Sequence, residues 1–313
     1  MNKASKIYIA GHLGMVGRAL VKAFTQAGYT NLILRGRDEL DLLDQAAVNH
    51  FFKSEQPDCI IVAAAKVGGI WANNTYRADF LIENLLIEAN LIKAAHDYNA
   101  EKLLFLGSSC IYPALAPQPL KEDYLLTGPL ETTNEPYAIA KIAGLKLCEA
   151  YKDQYGDNFV SIMPTNLYGP HDNFSLKESH VLPALMRKMH DAKTAGHASV
   201  EIWGTGSALR EFLYVDDLAD ACLFLMQGNY EPKWMNVGSG QEVTIKELAL
   251  AVQKTVGFKG QLQFNTSYPD GTPRKFLDSS RLLSLGWQPK IGLERGLNMT
   301  YKWFLENQHN FRA

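Results

Sequence analysis

The sequence predicts an α/β protein: a doubly wound parallel sheet joined to a smaller mixed α/β lobe that binds substrate. Three observations predict it. Short apolar runs alternate with stretches of helical spacing through the first half of the chain. A glycine-rich turn follows the first apolar run directly. The alternation changes after Pro164, and Gly169-Pro170 breaks the chain.

Lys6–Ala10 is the first apolar run, and it stops at Gly11. Val16, Leu20 and Phe24 then recur at the spacing of one helix face. Asn31–Leu34 is a second strand, and Asp58–Ala65 is continuously apolar, as expected of a strand covered on both faces. Phe80–Ala95 reads as a helix, Lys102–Leu106 as a strand, Tyr137–Tyr155 as a helix and Phe159–Met163 as a strand. Beyond the break, His180–His190 reads as helix and Val200–Trp203 as strand. Phe212–Val215 and Asp216–Met226 resume a strand–helix pair, followed by a strand at Met235–Val237. Thr244–Val256 and Leu293–Leu305 are the last helices. Residues 1–170 are therefore expected to form a nucleotide-binding domain, to which the chain returns at roughly 211–238. Residues 171–210 and 239–313 are expected to form the substrate lobe.

Composition narrows the function classes. A chain of 313 residues can bury a full core. Its net charge of −2 gives no reason to expect a nucleic-acid partner. No stretch is apolar enough to span a bilayer, and Met1–Ile9 has no long signal-like region, so no membrane partner is expected. Four cysteines show neither C-x-x-C nor metal-ligand spacing, and no metal is expected. Cys59, Cys148 and Cys222 lie in apolar runs and read as reduced core thiols, which suits a cytoplasmic protein.

Gly11-His12-Leu13-Gly14-Met15-Val16-Gly17 places G-x-x-G-x-x-G between the first strand and the first helix. Glycines there permit a tight turn and close approach to a pyrophosphate, while the helix N-terminus favours negative charge. The second strand ends in Leu34-Arg35-Gly36-Arg37, with no carboxylate at its end for the ribose hydroxyls. A guanidinium suits a 2′-phosphate, so NADP(H) is the expected cofactor, with Arg37 favoured over Arg35. Asp41-Leu42 follows at a position suited to the adenine edge, and Ala63-Ala64-Ala65 leaves room for the dinucleotide. This is the signature of a Rossmann-type cofactor domain.

Tyr137 and Lys141 stand four apart and share a face if both are on one helix. A lysine there would pull the phenol toward phenolate, and a hydroxyl from elsewhere could hold a sugar oxygen against it. That is a proton-transfer device for alcohol–ketone chemistry.

From Gly11 through Tyr137 and Lys141 to Arg210-Glu211-Phe212-Leu213-Tyr214-Val215-Asp216-Asp217, the chain resembles the extended short-chain dehydrogenase/reductase family. Further segments narrow the resemblance to its GDP-sugar epimerase-reductases. They include Ala65-Lys66-Val67-Gly68-Gly69-Ile70, Leu106-Gly107-Ser108-Ser109-Cys110-Ile111-Tyr112-Pro113 and Pro164-Thr165-Asn166-Leu167-Tyr168-Gly169-Pro170. Ser179-His180-Val181-Leu182-Pro183-Ala184, Asp270-Gly271-Thr272-Pro273-Arg274-Lys275 and Leu285-Gly286-Trp287 extend it over essentially the whole chain.

The resemblance implies NADPH-dependent conversion of GDP-4-keto-6-deoxy-D-mannose, with inversion at carbons 3 and 5 and reduction at carbon 4. It implies Ser108 as the hydroxyl on the ketone oxygen, Ser109 being its neighbour, and Cys110 and His180 as the base and acid of epimerisation. It adds Leu106, Lys141, Pro164, Asn166, Leu167 and His180 as cofactor contacts. Lys188 and Arg210 would meet the substrate pyrophosphate, Trp203 the guanine, Asp270 the guanine or ribose, and Asn166 the sugar or cofactor. Without the resemblance, Trp203 reads more readily as lobe core, Lys188 as a solvated face and Cys110 as a small buried residue. The family is commonly homodimeric, and Phe80–Ala95 with Tyr137–Tyr155 would form that surface.

Leu13 stands where the family's turn often carries Arg, which predicts weaker cofactor binding. Dehydratases of this fold typically carry Asp-Glu where this chain has Ser109-Cys110, and 4-epimerases usually favour an acidic residue where Arg37 lies. Both features count against those activities. Tyr137 and Lys141 count against a non-catalytic NADP-sensing protein.

Overall fold

The computed structural model describes residues 1–176, 178–268 and 270–308. The chain starts with β1 (Ile7–Ala10), α1 (Met15–Gln26), β2 (Leu32–Ile33), α2 (Gln45–Glu55) and β3 (Cys59–Val62). It continues with α3 (Ile70–Thr75), α4 (Arg77–Asp97), β4 (Lys102–Leu106), α5 (Glu135–Tyr155), β5 (Phe159–Pro164) and β6 (Asn166–Tyr168). Then come α6 (Val181–Ala195), β7 (Ser199–Trp203), β8 (Leu209–Tyr214), α7 (Val215–Gln227) and β9 (Trp234–Val237). The last elements are β10 (Glu242–Thr244), α8 (Ile245–Val256), β11 (Gln261–Asn265), β12 (Arg274–Lys275), α9 (Ser280–Ser284) and α10 (Leu293–Asn307).

Six strands make one parallel sheet in the order β2-β1-β3-β4-β5-β9. Its central strands are buried on both faces, and alternate side chains feed two cores. Ile7, Ile9, Leu104 and Ile162 pack against Leu20 and Phe24 of α1 and Leu218, Cys222 and Leu225 of α7. Tyr8, Ile60 and Phe105 pack the other way, against Phe52 of α2, Leu91 and Ile92 of α4, and Leu145 of α5. Each fully buried side chain of this size contributes about 1.5–3 kcal/mol relative to exposure. The sheet is doubly wound, as the alternation predicts.

Two differences from the expected elements stand out. Helix α2 falls where no element was predicted, although Asp44 caps it by accepting from the N–H groups of Ala46 and Ala47. The predicted strand around Phe212–Val215 is β8, and it leaves the large sheet. It pairs instead with β10, β12 and β6 in a second sheet, while α7 and β9 rejoin the large layers. The reason is visible in its contacts: Phe212 and Tyr214 face a third core with Met186 and Met189 of α6, Leu248 of α8 and Leu297 of α10. The strand's continuation, Leu213 and Val215, faces the α1–α7 core. One apolar strand thus serves both layers.

Candidate active site

The sheet order reverses at β1, which has β2 on one side and β3 on the other. In open α/β sheets the crevice beyond such a switch point, at the strands' C-terminal ends, is where ligands bind. Gly11 sits there with φ +84°, and a Cβ on it would lie 2.7 Å from the Ala64 nitrogen. A Cβ on Gly17 would lie 2.1 Å from the Gly11 carbonyl oxygen. No side chain caps α1 at Gly14, so the N–H groups of Met15, Val16 and Gly17 face the crevice uncapped. His12 Nδ1 is buried beside them without a hydrogen-bond partner. A tight cradle, free N–H groups and an orphaned polar atom fit a dinucleotide pyrophosphate.

The two arginines separate. Arg35 is engaged: its Nη2 lies 2.6 Å from Glu55 Oε1. Arg37 is exposed and has no ion-pair partner among the described residues, which leaves its guanidinium for a 2′-phosphate. Leu13 is 53% exposed at the turn and lends only its carbonyl, which accepts from Arg18 Nε at 3.0 Å. Asp41 Oδ1 accepts from the Leu43 N–H, and the Leu42 carbonyl accepts from Asn90 Nδ2. Those contacts fix the Asp41-Leu42 segment from beneath.

Ser108 begins a tight 3-10 turn at the end of β4, where its Oγ accepts from the Cys110 N–H at 3.2 Å. Ser109 is buried in that turn, so Ser108 is the accessible hydroxyl. Tyr137 and Lys141 lie one turn apart on α5, and the Ser108 hydroxyl lies near the Tyr137 phenol, where it favours the charged form. Lys141 Nζ donates to the Leu106 carbonyl at 3.1 Å and lies 2.9 Å from Glu88 Oε1. The spacing argument predicted a phenol drawn toward phenolate. The structure differs: burial pushes Tyr137 above its ordinary value, with the charges of Cys110 and Glu88 adding to it. The physical reason is that the phenol is buried, and the Glu88 carboxylate beside Lys141 adds to the rise.

Cys110 lies at the mouth of the same turn. Its sulfur is 3.5 Å from Lys275 Nζ and 3.6 Å from Asn134 Nδ2. His180 is the N-cap of α6, and burial, helped by the positive charge of Lys275, pushes its imidazole below the ordinary value even though the residue shows exposed surface. Lys275 therefore links the two proposed epimerisation residues. Sequence reasoning quoted it inside Thr272-Pro273-Arg274-Lys275 without giving it a role, and missed Asn134 and Glu88. The proximity of Asn134 to Tyr137 was the available signal for the former. Pro164 ends β5, and Leu167 and Asn166 follow on β6. The Asn166 amide donates to the Glu211 carbonyl at 2.8 Å, tying β6 to β8.

A separate cluster gathers at the end of β7, which pairs with β11 in a two-stranded sheet, and the start of β8. Trp203 is 58% exposed, so it is not lobe core, and it stacks on Tyr268 with centroids 4.4 Å apart and planes 13° apart. Lys188 Nζ stands 5.2 Å from the Trp203 ring. Arg210 Nη1 donates to the Leu209 and Thr272 carbonyls, and its remaining donors stay available. Asp270 accepts from the Thr205 N–H and hydroxyl, so each oxygen already serves the loop. That loop also needs Gly204, whose Cβ would stand 2.3 Å from Asp270 Oδ1. Lys188, Trp203, Arg210 and Asp270 thus come together from four distant segments. Among the described residues no cluster of histidine, cysteine or carboxylate side chains could hold a metal, and no helix is long and apolar enough to cross a membrane.

A glycine cradle at the switch point and a Ser-Tyr-Lys set beside it define a nucleotide-dependent reductase or epimerase of the short-chain type. Residues 7–238 match the NAD dependent epimerase/dehydratase family, and the chain belongs to it. It falls in the GDP-L-fucose synthase branch of that family. GDP-L-fucose synthase 1 of Arabidopsis thaliana is 58% identical over 309 residues, which cover 99% of this chain and 96% of that protein. The GDP-L-fucose synthase of Escherichia coli (strain K12) is 56% identical over 318 residues, covering 98% and 99%. A solved GDP-L-fucose synthetase from Naegleria fowleri bound to NADP is similar with a TM-score of 0.92 and 29% identity, covering 100% of this chain and 96% of that one.

Proposed function

We propose that this chain converts GDP-4-keto-6-deoxy-D-mannose to GDP-L-fucose, inverting carbons 3 and 5 and then reducing carbon 4. One observation carries the reading beyond fold. A thiol, Cys110, stands two residues from Ser108 and beside a cation, within the turn that also brings the Ser108 hydroxyl near Tyr137. A simple reductase needs only the hydroxyls; a thiol at that place supplies the extra base an epimerase needs.

Both inverted carbons lie next to the ketone, so their protons are acidified when the carbonyl oxygen is held. Ser108 and Tyr137 would hold that oxygen and stabilise the enolate. Cys110 would take a proton from one face and His180 return one to the other. NADPH, cradled by Gly11, Gly14 and Gly17 with Arg37 on its 2′-phosphate, would supply the hydride for carbon 4. Tyr137 would give its proton to the resulting alkoxide, and Lys141 would bond the nicotinamide ribose. Lys188 and Arg210 would meet the substrate pyrophosphate, with Trp203 and Tyr268 as a platform for guanine. Asp270 would act through the Thr205 loop as well as by direct contact.

Incubation with the keto sugar in deuterated water, followed by NMR, tests the reading. The parent should oxidise NADPH, give GDP-L-fucose and carry deuterium at carbons 3 and 5. Cys110→Ser should slow that exchange by about 100-fold. A parent that binds NADPH yet leaves the keto sugar untouched sinks the proposal.

The same reading includes a homodimer built on α4 and α5. Ile82 and Leu86 on α4 and Ile139 on α5 are exposed apolar side chains on these two packed helices. Sedimentation velocity would show a monomer if this is wrong. Four free cysteines, three of them buried, suit a reducing cytosol, and fractionation of the source cells would test that placement.

A further inference from the structure

Glu88 lies on α4 against Lys141, and each side chain is 2% exposed. A buried carboxylate is costly unless it is paired, and a leucine would fill a helix core position without that cost. The neighbouring helix makes room for it. A Cβ on Gly144 would come within 2.6 Å of Glu88 Oε2 and 2.5 Å of Phe105 Cζ. Both carboxylate oxygens are sealed from solvent. The charged or titratable groups around them are Lys141, Tyr137 and Cys148, all on α5. Strand β4 brings only the Phe105 ring, 4.8 Å from Lys141 Nζ, and the Leu106 carbonyl. Cys110, on the turn after β4, faces Tyr137.

A lone ammonium one turn from Tyr137 would draw the phenol toward phenolate. That suits the oxidation of an alcohol, where the tyrosine takes a proton. It works against reduction of a ketone, where the tyrosine must still hold one. We propose that Glu88 is a positioning residue that offsets the charge of Lys141 and keeps Tyr137 protonated as the donor for carbonyl reduction. The ammonium remains fixed for its hydrogen bonds while its field on the phenol is cancelled. This rests on the reading of Tyr137 as the proton donor.

The test is Glu88→Gln, which keeps the shape and removes the charge, with Glu88→Asp as the charge-retaining control. In the nucleotide-free protein, the phenolate absorbance of Tyr137 is titrated by difference against Tyr137→Phe. With NADPH and keto sugar, the basic limb of the pH–kcat profile is measured in the same variants. Glu88→Gln should move both to lower pH by about one unit, and Glu88→Asp should leave them near the parent's. A titration that stays in place or moves up overturns the proposal, even if the variant melts earlier. The ultraviolet titration needs no substrate, so it separates failure of this proposal from failure of the reaction assigned above. If Gln at 88 alone does not fold, Glu88→Gln with Lys141→Gln removes the unpaired ammonium. Its Tyr137 should then titrate near the parent's, and a clear rise would show that the Lys141 charge was never offset.

Discussion

The floor of the candidate site and the platform at the end of β7 are built on opposite terms. On the floor, Lys141 and Glu88 are each 2% exposed and held by neighbouring backbone and rings. On the platform, Trp203 is 58% and Tyr268 40% exposed, and the two rings stack on each other while the Trp203 indole N–H donates to Glu201. Chemistry at a carbonyl tolerates little misplacement, so its groups belong on buried helices and strand ends. Recognition of a flat base needs only a π face at the right height, and an exposed ring that can adjust supplies one. Charge behaves differently as well. In the buried floor it must be offset pairwise, whereas Lys188 stands over the exposed Trp203 ring and the half-buried Arg210 is held by the Leu209 and Thr272 carbonyls.

The sharpest way to break that contrast is Tyr137→Phe. It removes one oxygen from the rigid floor and leaves the cradle intact. We expect kcat for NADPH oxidation to fall about 1,000-fold with NADPH affinity nearly unchanged, measured by stopped-flow absorbance and fluorescence titration. A loss confined to KM would mean that the phenol only binds. On the platform, Trp203→Ala should raise KM for the GDP-sugar about 10-fold and leave kcat alone, because the ring contributes equally to ground and transition states. A kcat defect there would show that the platform also orients the sugar.

The same contrast decides what could be read before the fold was known. Gly11, Gly14, Gly17, Tyr137 and Lys141 sit at fixed spacings within single strand–turn–helix units, so local sequence is enough to group them. The central strands are equally legible, since burial on both faces leaves unbroken apolar runs such as Cys59–Val62. Glu88 and Lys141 are 53 positions apart and meet only because α4 packs on α5. Lys275 reaches Cys110 across 165 positions because the chain after β12 pairs with Gln118 and Leu120. Lys188, Trp203, Arg210 and Asp270 could be placed together only through family resemblance, because no periodicity joins them, and Tyr268, stacked on Trp203, had no signal in the sequence. Pattern alone does not say which sheet receives strand β8, since its apolar residues serve two cores at once. Helix α2 was overlooked although Asp44 at its N-cap marks its start.

Between floor and platform, the segment joining β6 to α6 carries a buried charge that neither region uses. Asp172 Oδ1 accepts from the Asn173 N–H at 2.7 Å, while its Oδ2 is buried without a partner. Burial pushes the carboxyl up from 3.8 to about 7. Between those two values the folded chain holds a proton that the unfolded chain has released, so this group lowers stability as pH rises through the window. Above it the full penalty applies. Asn keeps the acceptor for Asn173 and exchanges a buried anion for a neutral amide, itself in want of an acceptor. Asp172→Asn should therefore stabilise the fold by about 1 kcal/mol at pH 8, well below the full linkage value, with the advantage shrinking steadily toward pH 4. Urea midpoints across that range would measure it. An advantage that does not change with pH would mean that the carboxylate is hydrated, and that the joint between the two regions is as open as the platform.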